Sequence, residues 1–111
     1  MWRKVLGLKA LENNNGSVSI RVNSDEIIFI AKVNNRLYAM NGVCSHLKCI
    51  LGNISEDKKH VICPCHNAEF ELDTGKMVAP PFIAKDAPMN KLGLKIYSIR
   101  EENGFIELDL N

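Results

Sequence analysis

Two short segments hold the residues of this 111-residue chain whose types and spacing could do chemistry. All four cysteines and two of the three histidines lie in residues 44–49 (CSHLKC) and 63–66 (CPCH). Thiolates and imidazoles are the usual protein ligands of zinc and iron–sulfur sites, so two such segments can converge on one metal centre. The close pairs are Cys44 with His46 and Cys63 with His66, which leaves Cys49 and Cys65 as a second pair.

The spacings disfavour three common cysteine sites. A zinc ribbon spaces its pairs as C-x2-C to C-x4-C, but the tighter pair here is C-x-C, which chelates poorly. A plant-type ferredoxin needs C-x4-C-x2-C, and a thioredoxin-like motif needs two residues between its cysteines; neither pattern occurs. There remains a two-iron, two-sulfide cluster with two thiolates on one iron and two imidazoles on the other. The first iron would take Cys44 and Cys63, and the second His46 and His66.

The combined pattern C-x-H-x16-C-x-x-H resembles the Rieske iron–sulfur family. The resemblance implies an all-β chain, a Rieske-like antiparallel β-sandwich with a cluster-binding subdomain made of two hairpin loops. It also implies that the subdomain lies at about 41–81 and that each chain holds one [2Fe-2S] cluster. The length of the chain predicts a single domain over residues 1–111. We expect the resemblance to run from about residue 37 to 110, with the first thirty residues matching only in being strand-like.

The extra cysteines narrow the resemblance to the disulfide-bearing, high-potential branch, and within it to soluble ferredoxins of archaeal type. In that branch a disulfide, here between Cys49 and Cys65, ties the two cluster loops together. The resemblance also implies that Leu47 shields the cluster from water. The alternative is that Leu47 is an ordinary hydrophobic residue of the loop. Pro64 lies between the two cysteines of the second segment, where its ring fixes the backbone φ angle and leaves no N–H to donate a hydrogen bond.

Residues 79–81 (APP) resemble the proline loop that covers the cluster from a third side in this family. The covering role falls on Pro80 and Pro81, and the plain alternative is a surface turn. The segment of residues 82–92 is longer than the connection that a compact ferredoxin needs at this place. We expect the segment to fold over the cluster end of the protein or to contact a partner.

Four positions depart from the high-potential pattern. Ala68 and Phe70 stand where the cytochrome bc type has a serine and a tyrosine whose hydroxyls donate hydrogen bonds toward the cluster sulfurs. Such hydrogen bonds favour the reduced cluster, so their absence predicts a potential below that of the cytochrome bc proteins. The resemblance to the disulfide-bearing branch implies a potential above that of the low-potential oxygenase ferredoxins. Lys48 and Asn67 replace glycines. Asparagine tolerates a left-handed backbone, whereas Lys48 indicates that the first loop bends differently.

Composition limits the other possibilities. A net charge of +1 argues against a nucleic-acid binder, and no apolar run reaches the length of a membrane span. Residues 1–4 (MWRK) lack the apolar region of a signal peptide, so we expect a soluble, cytoplasmic protein. A cytoplasmic disulfide is unusual, except in hyperthermophiles or where a buried bond has a low potential.

Short β-rich runs separated by turn residues predict a nearly all-β chain without a convincing helix. Turns are predicted at 13–16 (NNNG), 34–35 (NN), 73–75 (DTG) and 102–104 (ENG). The predicted strands are residues 5–8, 18–22, 26–33, 36–40, 61–62, 68–72, 94–99 and 105–110.

The resemblance implies one-electron transfer, and no nucleophile–base pair in the sequence indicates catalytic residues of the chain's own. In the family the two ligand histidines are exposed, so we expect His46 and His66 to couple the electron to protons and a redox partner protein to dock at their exposed edge. Three alternatives stay open: a ferredoxin component or small subunit of an oxygenase or molybdenum oxidoreductase, a zinc-stapled β module, and a redox sensor. His60, the third histidine, is predicted to be a solvated loop residue rather than a ligand.

Overall fold

The computed structural model describes residues 1–43, 49–65, 67–81, 86 and 88–110. These residues form ten strands, one short α-helix and one 3-10 turn (Met89–Lys91), so the prediction of a nearly all-β chain is confirmed. The elements are β1 Trp2–Gly7, α1 Leu8–Asn13, β2 Ser17–Arg21, β3 Ile27–Val33, β4 Arg36–Asn41, β5 Asn53–Ile54, β6 His60–Ile62, β7 Glu69–Glu71, β8 Met77–Ala79, β9 Ser98–Glu102 and β10 Phe105–Asp109.

The strands form three antiparallel sheets. Their orders are β1-β10-β9, β2-β3-β4 and β5-β6-β7-β8. We call the last of these the cluster-loop sheet, because the second cysteine–histidine segment joins two of its strands, β6 and β7. The antiparallel architecture that was expected for the Rieske-like fold is therefore present.

The sheet β2-β3-β4 has apolar groups on both faces because every residue of β3 except Lys32 is apolar. Successive side chains of a strand point to opposite faces, so Ile28 and Ile30 pack into one core and Phe29, Ala31 and Val33 into another. The first core includes α1, β10 and the flanking sheet β1-β10-β9; the second includes the cluster-loop sheet. The strand β3 thus contributes side chains to both cores.

Residues 95–97 link the outer sheet to the central one. The Asn41 N–H donates to the Lys95 carbonyl (2.8 Å), and the Tyr97 N–H donates to the Ala39 carbonyl (2.9 Å). These two bonds place the segment beside β4 before the chain enters β9. The strand predicted at 94–99 is therefore shifted: its first half pairs with β4 as a short bridge, and the regular strand begins at Ser98.

The prediction that the chain has no helix is wrong at α1. The chain leaves β1 at Gly7, and Leu8–Asn13 forms a single helical segment with Leu11 fully buried. Leucine, lysine, alanine and glutamate all have good helix propensity. Burial of Leu11 against the core supplies the remaining stabilisation that so short a helix needs.

The predicted turns are confirmed by the backbone. Asn34 and Asn35 have positive φ values of 52° and 64°, as the tight hairpin between β3 and β4 requires. At the β7–β8 turn, Gly75 has φ +74°, and its carbonyl accepts the Leu94 N–H (2.7 Å). A methyl group at Gly75 would overlap the Leu94 carbonyl oxygen, so glycine is needed there for space as well as for conformation.

Candidate metal centre

The second ligand segment is a loop at the end of the β6–β7 hairpin, which we call loop two (residues 63–68). The Cys63 N–H donates to the Ala68 carbonyl (2.8 Å), and the Asn67 N–H donates to the Cys63 carbonyl (3.0 Å). Asn67 has φ +59°, which confirms that asparagine takes the left-handed position where the family pattern has glycine. These two bonds hold Cys63 at the mouth of loop two.

The first ligand segment, loop one (residues 44–49), leaves from β4 and returns beside it. Val43 and Ile50 form a β-bridge, and the Leu51 N–H donates to the Gly42 carbonyl (2.8 Å). Gly42 lies so close to β3 that a Cβ there would come within 2.9 Å of the Ile27 side chain. The predicted ligands Cys44 and His46, the predicted shield Leu47 and the unusual Lys48 lie outside the described residues, as does His66 of loop two.

A disulfide joins the two loops. Cys49 and Cys65 are bonded, with their Cα atoms 6.4 Å apart, which confirms the predicted pairing. The Sγ atoms of Cys49, Cys63 and Cys65 all lie within 4.8 Å of one another, and Cys63 is a free, fully buried thiol. Loop one and loop two are thus held together at the place where Cys63 presents its sulfur.

The chemistry of these donors fits a [2Fe-2S] cluster better than a four-cysteine zinc site. The disulfide withdraws two of the four cysteines, so at most two thiolates remain as ligands. Two thiolates require two ligands of another kind, and both segments carry a histidine. Cys63 belongs to the same buried cluster as the apolar residues Phe29, Phe70 and Met77, so its surroundings are apolar.

Most of the residues expected to shield or tune the cluster are buried, as far as the structure describes them. Ala68 and Phe70 are fully buried in the same core. Pro81 is also fully buried and Pro80 half-buried, which disfavours the plain surface-turn reading; Pro64 is exposed. Leu92, near the end of residues 82–92, packs against this core, whereas residues 82–85 and 87 lie outside the described ranges.

His60 is not the solvated loop residue that was predicted. It begins β6, and its side chain is about three-quarters buried, with Nδ1 3.3 Å from Glu69 Oε1 and 4.0 Å from Asp57 Oδ2. The Ser55 hydroxyl and the Lys59 N–H donate to Asp57 and hold the pKa of its carboxyl below the usual value. Among the described residues, His60 is not part of the group of close metal-ligating atoms.

A cleft of about 370 Å³ opens beside the base of loop one. On its wall the Tyr97 hydroxyl donates to Glu26 Oε2 (2.9 Å). Burial and this carboxylate raise the pKa of Tyr97 to about 12. A hydrogen bond from Asn23, together with the one from Tyr97, lowers the pKa of Glu26. This pair was not recognised from the sequence, because its members are far apart along the chain.

Within its described ranges the structure has no helix with the length and apolar character of a membrane span.

Comparison with known proteins extends the resemblance over the whole chain. The family description "Rieske [2Fe-2S] domain" matches residues 1–98, so the expectation that the first thirty residues match only as strands is wrong. Sulredoxin from Sulfurisphaera tokodaii is 52% identical over 110 residues, which are 99% of each chain. The 3-phenylpropionate/cinnamic acid dioxygenase ferredoxin subunit of Shigella flexneri is 35% identical over 98 residues, covering 83% of this chain and 80% of that protein.

The fold agrees with a solved structure. The ferredoxin of carbazole 1,9a-dioxygenase from Nocardioides aromaticivorans superposes with a TM-score of 0.79 at 19% identity, covering all of this chain and 99% of that one. The full-length match to sulredoxin, an archaeal Rieske-type protein, confirms the predicted resemblance. This chain therefore belongs to the Rieske [2Fe-2S] domain family and is a Rieske ferredoxin-type electron carrier.

Proposed function

We propose that this chain carries one electron at a time on a [2Fe-2S] cluster whose irons are ligated by Cys44 with Cys63 and by His46 with His66. The observation that supports it most is the buried, free Cys63 thiol beside an inter-loop disulfide, in a chain of the Rieske family. When bound, the cluster supplies a one-electron couple. The chain supplies the ligands, their position and the exclusion of water.

The protein part of this mechanism begins with the two loops. Loop two fixes Cys63 through two backbone hydrogen bonds, and the disulfide restrains loop one against it. Ligands that are ordered before binding lose little further freedom, and a rigid shell changes shape little when the charge changes. Fully buried Cys63, Ala68 and Phe70 also keep water away from the sulfur side of the site.

His46 and His66 have a second role in the proposal. Each would use one ring nitrogen as a ligand and hold a proton on the other. That proton leaves more easily when the site is oxidised, since the extra positive charge favours the deprotonated ring. The midpoint potential should therefore be flat at acidic pH and fall as pH rises through the oxidised-state pKa of these histidines.

Three single histidine variants test the ligand assignment. His46→Ala and His66→Ala should each abolish incorporation of iron and sulfide, whereas His60→Ala should retain both. His60 is the matched control because it is the third histidine of the chain and makes its contacts with carboxylates. Loss of the cluster in the His60 variant alone, with the other two variants unaffected, would overturn the assignment.

Proton coupling is tested by voltammetry from acidic to strongly alkaline pH. The proposal requires a potential that falls by up to about 59 mV per pH unit for each proton released with the electron. The His60→Ala variant should show the same dependence. A potential that stays constant over the whole range would rule out proton coupling at these histidines.

The proposal includes a redox partner protein that docks at the exposed edge of His46 and His66, and a cytoplasmic location. Reduction of an oxidised partner should slow when a bulky reagent modifies the histidine edge. Cell fractionation followed by immunodetection checks the location, and recovery of the protein in a membrane or exported fraction would contradict it.

A second candidate is the dedicated ferredoxin component of an oxygenase. It is favoured by the 35% identity to a dioxygenase ferredoxin subunit. A small subunit of a molybdenum oxidoreductase is the related possibility raised by the sequence. Stable co-purification with a large catalytic subunit would support this second candidate, whereas isolation of the chain alone with a full cluster supports the free carrier.

A further inference from the structure

Three sulfur atoms meet where loop one and loop two are joined. The Sγ atoms of Cys49, Cys63 and Cys65 lie within 4.8 Å of one another, and only two of them are bonded. A thiol this close to a disulfide has the elements needed for thiol–disulfide exchange, in which a thiolate attacks one sulfur and displaces the other.

We propose that Cys63, whenever it is not ligating iron, attacks Cys49 Sγ and displaces Cys65. One S–S bond forms between Cys63 and Cys49 while the bond between Cys49 and Cys65 breaks. The electron pair of the broken bond leaves on Cys65 as a thiolate. The number of disulfides and the number of free thiols are both unchanged, so the step needs no oxidant or reductant.

Burial explains why Cys65 would be the leaving group. Cys65 is exposed, Cys49 is half-buried and Cys63 is fully buried. A departing thiolate is stabilised by water, so its release at Cys65 costs less than its release at Cys49. Attack on Cys65 itself would instead close a bridge across the single residue Pro64, whose ring fixes the backbone and resists that geometry.

The exchange has a consequence for the site, which rests on the proposed ligand role of Cys63. The exchanged isomer ties up Cys63 in a buried disulfide and leaves an exposed thiol in its place. The chain then lacks a thiolate ligand until the exchange is reversed by attack of the Cys65 thiolate on Cys49, which displaces Cys63. Until that reversal, loop two would stay in a form that cannot rebuild the cluster directly.

Peptide mapping tests the inference on the full-length protein. The cluster is removed without oxygen by an iron chelator, and the chain is incubated at about pH 8, a condition used for thiol–disulfide exchange. Free thiols are then alkylated, and mass spectrometry locates the labels and the disulfide. A simple thiol count is of no use, because the exchange conserves it.

The expected result is that label on Cys65 grows with time while label on Cys63 falls, and that the Cys49–Cys63 bridge replaces the original one. In Cys63→Ser no label should appear on Cys65. Cys44→Ser should still exchange, since Cys44 takes no part. Protein that keeps its cluster should keep the Cys49–Cys65 bridge throughout.

Two results would overturn the inference. One is a cluster-free protein that keeps the Cys49–Cys65 bridge at all times. The other is a mixture in which bridges to Cys44 are as frequent as the Cys49–Cys63 bridge, as in the scrambling of an unfolded chain; circular dichroism run in parallel reports whether β-structure persists. Iron and sulfide are measured before stripping, so absence of a cluster refutes the proposed function while the peptide map still decides the exchange.

Discussion

The inter-loop disulfide should contribute about 3 kcal/mol to the stability of the cluster-free protein. The bridge joins residues that are 16 apart, and the chain-entropy relation for a loop of that length gives about 3 kcal/mol near 25 °C. Cys65 is exposed and Cys49 only partly buried, so truncating the side chains adds little through lost packing. Replacing both cysteines with alanine should therefore lower the melting temperature by roughly 10–20 °C.

Both cysteines must be replaced together, because a single variant would leave a thiol that can pair with Cys63. Urea unfolding followed by circular dichroism gives the free energy and its slope with denaturant, and the slope should rise as the unfolded chain expands. Wild-type protein with the bridge chemically reduced is the control, since it keeps every side chain and should lose a similar amount. A loss below about 1 kcal/mol in both samples would show that the loops are held together without the cross-link.

Three further predictions concern side chains near the cluster site, at a turn and in the cleft. Ala68→Ser combined with Phe70→Tyr should raise the midpoint potential, by roughly 40 mV for each hydrogen bond that favours the reduced state by about 1 kcal/mol. An unchanged or lower midpoint potential in protein-film voltammetry would show that hydroxyl groups at these two positions do not stabilise the reduced cluster. Gly75→Ala should cost about 2 kcal/mol or more in thermal unfolding, because the methyl group meets a backbone carbonyl at positive φ; an unchanged melting temperature would contradict this. Glu26→Gln should lower the pKa of Tyr97 from about 12 part of the way toward 10, since burial persists. The pKa of Tyr97 is higher in the folded chain than in the unfolded chain. The contribution of Tyr97 to the free energy of unfolding is therefore full below about pH 10 and is lost as the pH rises through about 12. Ultraviolet titration measures the shift, and an unchanged pKa would refute the role of the carboxylate.

Much of the fold follows from local patterns in the sequence. The apolar run of β3 and the two asparagines after it predict a buried strand and its hairpin, because both signals are local. The helix α1 was missed since it is six residues long and buries only Leu11, too little to show a helical period. The strand β9 was placed too early because it is exposed and rich in charge, whereas the apolar residues before it pair only briefly with β4.

The site was predicted as far as spacing and residue type allow. The disulfide partners and the left-handed Asn67 could be inferred because each depends on local chemistry or on a family pattern. The surroundings of His60 could not, because Asp57 and Glu69 reach it through the turn before β6 and through the β6–β7 pairing. The ligand roles of Cys44, His46, Cys63 and His66 stay predictions.

Electron paramagnetic resonance of the purified protein, before and after addition of ascorbate and then dithionite, tests the central claim most directly. The account predicts a rhombic signal that appears with ascorbate and shows couplings to two ligand nitrogens, as two imidazoles on the reducible iron require. A signal that appears only with dithionite would keep the cluster and move the assignment toward the oxygenase ferredoxins. No signal with either reductant, together with zinc in elemental analysis, would contradict the account.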